Sequence, residues 1–321
     1  MTFNMIKKAF FVFAACGILS SAMFSPMNSG AVSLDMPFPV AFQQNEESGA
    51  EIQREAYLPE FGNWCDYPWN RGSETGNTVG KAACSLFSVI NNVYYHTGKI
   101  IEPTGLAQYA LDKGYRRAGV EGVAIDFFYG FINDFGAEYG MSFASGTTSS
   151  SRVLEHVRNG GAASSNIYGH WISIADYDAE NDLYLILDSA QACNRCKNIT
   201  WTDRENGIAW LTYEQLAADA KNGYYGVNKM YSALYNFDYT FDGEYGDANG
   251  DGKIGVDDAV SVLTRYSYLS ASMEPLPYHA HPFRNGLCEK LGDFDGDGVV
   301  SISDAISILE IYSKRAADIT D

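Results

Sequence analysis

Two kinds of chemistry are available to the side chains of this chain. The first rests on a cysteine, a histidine and an aspartate: Cys84, His170 and Asp188. A thiolate is a strong nucleophile, an imidazole moves protons near neutral pH, and a carboxylate can hold an imidazole in one tautomer. The second rests on two acidic loops, Asp247-Ala-Asn249-Gly-Asp251-Gly252-Lys253-Ile-Gly255-Val256-Asp257-Asp258 and Asp293-Phe-Asp295-Gly-Asp297-Gly298-Val299-Val-Ser301-Ile302-Ser303-Asp304. Each places oxygen side chains at loop positions 1, 3, 5 and 12 and a glycine for the sharp turn at position 6. A hard cation takes roughly six to eight oxygens on a tight curve, with a backbone carbonyl at position 7. The expected ligands are Asp247, Asn249, Asp251, Lys253 and Asp258 in one loop, and Asp293, Asp295, Asp297, Val299, Ser301 and Asp304 in the other. Two Ca2+ ions are implied.

The elements that must position the first set are legible in outline. Leu86, Val89, Ile90 and Val93 recur at helical spacing, which predicts a helix starting at or just before Cys84. A thiol in that first turn sits at the positive end of the helix dipole, which favours the thiolate. On this segment alone, a small buried core cysteine is an equal reading. Gly169 to Tyr177 alternates like a strand, Asp178 to Asp182 reads as a turn, and Leu183 to Asp188 reads as a second strand. A hairpin folded about Glu180 brings Asp188 within a residue or two of the partner of His170, at its open end. A slip of one residue would turn the two side chains to opposite faces.

A cysteine at a helix start, a Gly-His strand and a strand ending in Asp resemble the papain-like cysteine peptidases, in particular the compact bacterial branch related to bacteriocin-processing peptidases. The resemblance spans about residues 62–190. It implies an α+β domain in which the helix carrying the Cys packs on an antiparallel sheet. It also implies Cys84 as nucleophile, His170 as general base and acid, and Asp188 as the orienting residue. The chain departs from the family at Ala83 and Ser85, where glycines usually flank the nucleophile. The side chain that donates to the oxyanion is normally Gln or Asn about six residues earlier, whereas residue 78 is Thr; Asn77 and Thr78 are therefore the oxyanion candidates.

The acidic loops follow the ligand order of an EF-hand loop, with Asp at position 12. Each precedes one helical stretch, Asp258-Ala-Val-Ser-Val-Leu and Asp304-Ala-Ile-Ser-Ile-Leu. Such a pair of loop-helix units resembles a dockerin, a small all-α calcium-binding module that docks onto cohesins of a cellulosome scaffold. The resemblance covers about residues 243–316. It implies cohesin contact through Val256, Asp257, Ile302 and Ser303, two unlike pairs. A Pro/His-rich insert separates the repeats, and His279 and His281 within it could take a transition metal.

The organisation expected is a signal peptide over residues 1–30, a linker over 31–55, the peptidase-type domain over 56–240, the dockerin over 241–316 and a tail over 317–321. Lys7 and Lys8 before an apolar run, with Ser20 and Ala22 as small residues, have the pattern of an export signal rather than a membrane span. A lipoprotein signal through Cys16 is disfavoured by Phe13. The chain is thus read as secreted, to an extracellular, cell-surface cellulosome. The net charge is −18, with 15 acidic against 6 basic residues from position 241 onward, so about half the excess lies in the metal-binding part. No basic stripe is available to attract phosphates, which excludes nucleic acid as a partner.

Beyond the leader remain Cys65, Cys84, Cys193, Cys196 and Cys288. Export permits disulfides, and an odd count leaves one thiol over. Cys193 with Cys196, or either with Cys65, are open pairings. His156 reads as a solvated surface histidine and His96 as a cation capping the end of its helix. The 22 tyrosines suit either packing or a carbohydrate-facing surface. The expected function is hydrolysis of peptide bonds in a peptide or protein substrate by a scaffold-anchored cysteine peptidase. The rivals are an inactive binding or inhibitory module of the same fold, and acyl transfer to an amine.

Overall fold

The computed structural model describes residues 41–43, 64–118, 122–167, 169–190, 197–218, 222–227, 231–238, 243–250, 252–271 and 282–318. The expected signal peptide, Cys193, Cys196, Asp251, His279 and His281 lie outside the described residues. After a 3-10 turn, Trp64–Asp66, come α1 (Val79–Ala82), α2 (Cys84–Thr97), α3 (Pro103–Asp112) and α4 (Asp126–Phe135). Then follow β1 (Met141–Thr147), α5 (Ser150–Arg158), β2 (Ala162–Ile167), β3 (His170–Asp178), β4 (Leu183–Leu187), β5 (Ile208–Leu211), α6 (Tyr213–Ala217) and β6 (Ser232–Phe237). The strands form one antiparallel sheet in the order β1-β6-β2-β3-β4-β5. The architecture is mixed α+β, as expected.

Helices cover both faces of this sheet. On one, Val153, Leu154 and Val157 of α5 pack on Ile172, Ile174, Ile186 and Leu211. On the other lies α2, whose residues from Ser85 to Thr97 are all buried. The apolar stripe Leu86, Val89, Ile90 and Val93 is wholly withdrawn from water, worth roughly 1.5–3 kcal/mol per side chain. The side of α2 toward the sheet is polar and small. Ser88 Oγ donates to Ser164 Oγ (2.9 Å), Asn92 Nδ2 to the Ala163 carbonyl (3.0 Å), and Ser173 Oγ to the Ser88 carbonyl (2.9 Å). These bonds tie the helix to the strands, although Asn92 Oδ1 and Ser85 Oγ are buried without a hydrogen-bond partner.

Two histidines depart from expectation. His96 is no exposed cap: it is buried, its Nε2 lies 2.9 Å from the Ala175 carbonyl, and its ring stacks on Phe237. Burial lowers its pKa to about 3, only partly offset by that hydrogen bond, so it is neutral. His156 is half-buried and not solvated; its Nε2 meets the Tyr235 carbonyl at 2.8 Å and ties α5 to β6. The aromatic residues Tyr109, Phe127, Phe131, Phe135 and Tyr139 stack on one another, which is packing.

The C-terminal region has a separate core. Helices α7 (Val256–Ser270) and α9 (Ile302–Asp318) pack together, with α8 (Pro282–Leu291) between them in the chain. Ile254 and Val300, Ala259 and Ala305, Val262 and Ile308 occupy equivalent places of the two repeats in this core. The insert between the repeats contributes α8, a third helix beyond the two loop-helix units expected. Its Leu287, Cys288 and Leu291 are buried. Among the described residues, no helix is long and apolar enough to cross a membrane.

Candidate functional site

Cys84 is the first residue of α2. Ahead of it, Ala83 (φ −94°, ψ 22°) ends α1 and starts the new helix, its carbonyl accepting from Leu86 and Phe87 N–H. The kink places the thiol in the first helical turn. His170 begins β3, opposite Ile167 of β2. The β3–β4 register sets Ser173 across from Leu187 and Ile174 across from Ile186. Continued by one residue, it puts Asp188 level with Ile172, two residues from His170 along the same strand. This is the open-end diagonal expected from the hairpin.

The three side chains converge. His170 Nε2 lies 2.7 Å from Asp188 Oδ1, with both residues buried. An ionised carboxylate only accepts, so Nε2 carries the proton, and Nδ1 is the ring nitrogen left for Cys84. The Cys84 thiol acts on the same imidazole both as hydrogen-bond partner and as charge. Burial alone would lower the imidazole's pKa. The charges of Asp188 and Cys84 and the hydrogen bonds to both outweigh it and raise the pKa well above the ordinary value. Burial would raise Asp188, but His170 and its other donors hold it below the usual carboxylate range. Electrostatics thus favour an imidazolium beside a carboxylate.

Three features of the Asp188 environment had no signal in the sequence. Tyr225 donates its hydroxyl to Oδ2 (2.9 Å), and the Ala190 N–H donates to Oδ1 (2.9 Å). Gln43 Nε2 donates to the Asp188 backbone carbonyl (2.9 Å) from within the stretch expected to be linker. Ala41, Phe42 and Gln43 are all fully buried. Gly207 completes the corner: at φ 68°, a Cβ there would stand 2.0 Å from the Asp188 carbonyl oxygen.

The oxyanion candidates are placed less favourably. Asn77 directs its side-chain amide to Glu74 (3.2 Å), and Thr78 is the N-cap of α1 with no side-chain capping bond. Cys288 is a free thiol, and the pairings considered for Cys193 and Cys196 lie outside the described residues. Burial pushes the Cys288 thiol up to about 12, which makes it inert.

The acidic loops share one geometry. Gly252 N–H donates to Asp247 and Gly298 N–H to Asp293, at 3.0 and 2.9 Å. Gly255 N–H donates to Asp258 and Ser301 N–H to Asp304, at 2.7 and 2.8 Å. Gly252 and Gly298 sit at φ 84° and 85°, where a side chain would be strained. In the second loop, the carboxylates of Asp293, Asp295 and Asp297 present oxygens within 4.8 Å of one another. Asp293 Oδ1 is buried and has no hydrogen-bond partner. An orphaned buried carboxylate oxygen facing two more carboxylates fits a hard cation. In the first loop, burial raises the Asp258 pKa to about 7, against the N–H groups of Gly255 and Asn249 and with the charges of Asp257 and Asp247.

Comparison with family models, with curated proteins and with solved structures finds no match to this chain.

Proposed function

We infer that this protein is a cysteine peptidase that calcium-folded repeats anchor to a cohesin-bearing scaffold. The observation that carries the hydrolytic half is the meeting of Cys84, His170 and Asp188, with Nε2–Oδ1 at 2.7 Å. In this reading the Cys84 thiolate attacks a peptide carbonyl carbon and a C–S bond forms. The oxyanion is faced by backbone N–H groups at Cys84, with Asn77 and Thr78 the side chains proposed to assist. His170 gives its proton to the leaving amine as the C–N bond breaks. It then takes a proton from the water that hydrolyses the thioester, and Cys84 is regenerated. Asp188 holds the imidazole in place throughout.

One observation favours a second reading, a binding module of the same fold. The Asn77 amide is already engaged by Glu74, and an oxyanion donor is worth about two to three orders of magnitude in rate. Alkylation of Cys84 across pH, followed by peptide mass spectrometry, separates the two. Rapid labelling at pH 5–6 that His170→Ala slows marks a thiolate–imidazolium pair. Labelling only near the ordinary thiol value of about 8.5 would leave the binding module.

For the anchoring half, Asp247, Asn249, Asp251, Lys253 and Asp258, and Asp293, Asp295, Asp297, Val299, Ser301 and Asp304, would hold Ca2+. The ion would neutralise carboxylates that otherwise repel one another. The cohesin-facing residues proposed are Val256, Asp257, Ile302 and Ser303. Val256 and Ile302 are half-exposed, and Val260 with Leu263 and Ile306 with Leu309 continue each one along its helix. Replacing Val256 and Ile302 together by Asp should abolish cohesin capture; unchanged capture would refute the assignment.

A further inference from the structure

The segment Ala41–Gln43 is joined to both halves of the catalytic site. On one side it grips the helix that carries the nucleophile: the Phe42 N–H donates to Asn91 Oδ1 (2.8 Å), and the Phe42 ring meets Tyr94 edge-on at 5.0 Å. On the other it grips the corner that carries the acid. The Gln43 Nε2 amide spans three carbonyl oxygens, those of Ala41 (2.8 Å), Asp188 (2.9 Å) and Asn206 (3.1 Å). Ala41 packs between them, against Tyr95 of α2 and Leu185, Leu187 and Ile208 of β4 and β5.

Burial of a primary amide is costly unless its protons are bonded, and three carbonyls aimed at one nitrogen make a built socket. Gly207 belongs to the same socket. A Cβ there would stand 2.7 Å from Gln43 Nε2 as well as striking the Asp188 carbonyl. The Asp188 N–H also donates to the Gly207 carbonyl (2.9 Å). The backbone of Asp188 is therefore fixed from its N–H by Gly207 and from its carbonyl by Gln43, and its carboxylate by Tyr225 and Ala190.

We propose that Gln43 is a positioning residue for the catalytic site, and that Ala41–Gln43 is an N-terminal clamp holding the Asp188 corner in register with the Cys84 helix. This rests on the reading of Cys84, His170 and Asp188 as a catalytic set. The clamp acts through Asp188 on His170, whose ring is faced by the charges of Asp188 and Cys84, with the Tyr225 hydroxyl behind. Without it, Asp188 drifts from Nε2 and the imidazolium is less stabilised. It follows that N-terminal processing that removes residue 43 would lower activity.

The test is the rate of Cys84 alkylation by iodoacetamide over pH 4–11 in the full chain, for wild type, His170→Ala and Gln43→Met. The methionine keeps the buried volume and removes the donor. A thiolate–imidazolium pair gives two inflections, the upper marking loss of the His170 proton. In Gln43→Met the upper inflection should fall by about one pH unit, a change that a loss of stability alone would not produce. If wild type shows both inflections and Gln43→Met superimposes on it, the clamp is refuted and the catalytic reading stands. If wild type shows a single inflection near the ordinary thiol value, both fall together. Should Gln43→Met not fold, Gln43→Glu decides: its protonated carboxyl can donate to a carbonyl and its ionised form cannot. Labelling relative to wild type should then drop about tenfold between pH 5 and 7.5; a constant ratio would refute the clamp.

Discussion

At the scale of single residues, the domain buries two histidines and treats them in opposite ways. His96 has a carbonyl and the rings of Tyr95 and Phe237 beside it, and burial keeps it neutral with a pKa of about 3. His170 has Asp188 and Cys84 beside it, so its charged form is favoured. The signs for stability differ accordingly. As pH falls below 6.5, the unfolded chain protonates residue 96 and the folded one does not, so stability is lost between there and about 3. His170 contributes stability that is complete below 6.5 and is lost as pH rises through its raised value. From residue 96 alone the loss by pH 5 should be about 2 kcal/mol. Urea melts at pH 7 and pH 5 for wild type and His96→Gln read this directly. The variant's loss should be smaller by that amount, and equal losses would show that residue 96 is protonated in the fold. Spacing along a helix cannot separate these two environments, which is why His96 reads as a capping cation from sequence.

At the scale of elements, α2 shows where sequence patterning stops. Its start at Cys84 and its stripe of Leu86, Val89, Ile90 and Val93 are legible, because apolar residues at helical spacing have few other uses. The β3–β4 pairing is legible too, but only to within a residue, because a bulge between Ile174 and Asp176 moves the register by one between the turn and the open end. What a single-face reading misses is that α2 is buried on its polar side as well. Ser88 and Asn92 look like solvent-facing residues, yet they lie in the seam with β2 and β3. Tyr225 and Gln43 are hidden for a related reason: each reaches Asp188 from a distant part of the chain, and no periodicity marks such a contact. The seam itself carries a prediction. Asn92→Ala leaves the buried Ala163 carbonyl without its side-chain donor, at a cost of about 1–3 kcal/mol. Because the same helix carries Cys84, the variant should both lower the midpoint of the urea melt and slow Cys84 alkylation at pH 6. Slower alkylation with unchanged stability, or the reverse, would mean that the seam does not couple packing to the site.

At the scale of the whole molecule, the two cores share no residue: one lies around the sheet, the other around Ile254, Val262, Val300 and Ile308. Their sources of stability differ as well. The sheet domain rests on apolar burial and paired backbone. The small C-terminal core is built against loops whose carboxylates point at one another, with Asp293 Oδ1 orphaned and Asp258 pushed up to about 7 by burial and its acidic neighbours. A domain of that size is marginal without a staple. Calcium should therefore act on one core and spare the other, with α8, which approaches α2, the place where any coupling would pass. Calorimetry with calcium and with EGTA should show two transitions, the C-terminal one shifting upward with calcium by many degrees and the other by less than about two. Asp293→Ala should reproduce most of the EGTA effect, since it removes the carboxylate whose oxygen is otherwise unpartnered. If calcium moves neither transition, the loops are acidic turns without an ion. If it moves both equally, α8 binds the two cores into one cooperative unit, and scaffold anchoring and the Cys84 site would then respond to the same ion.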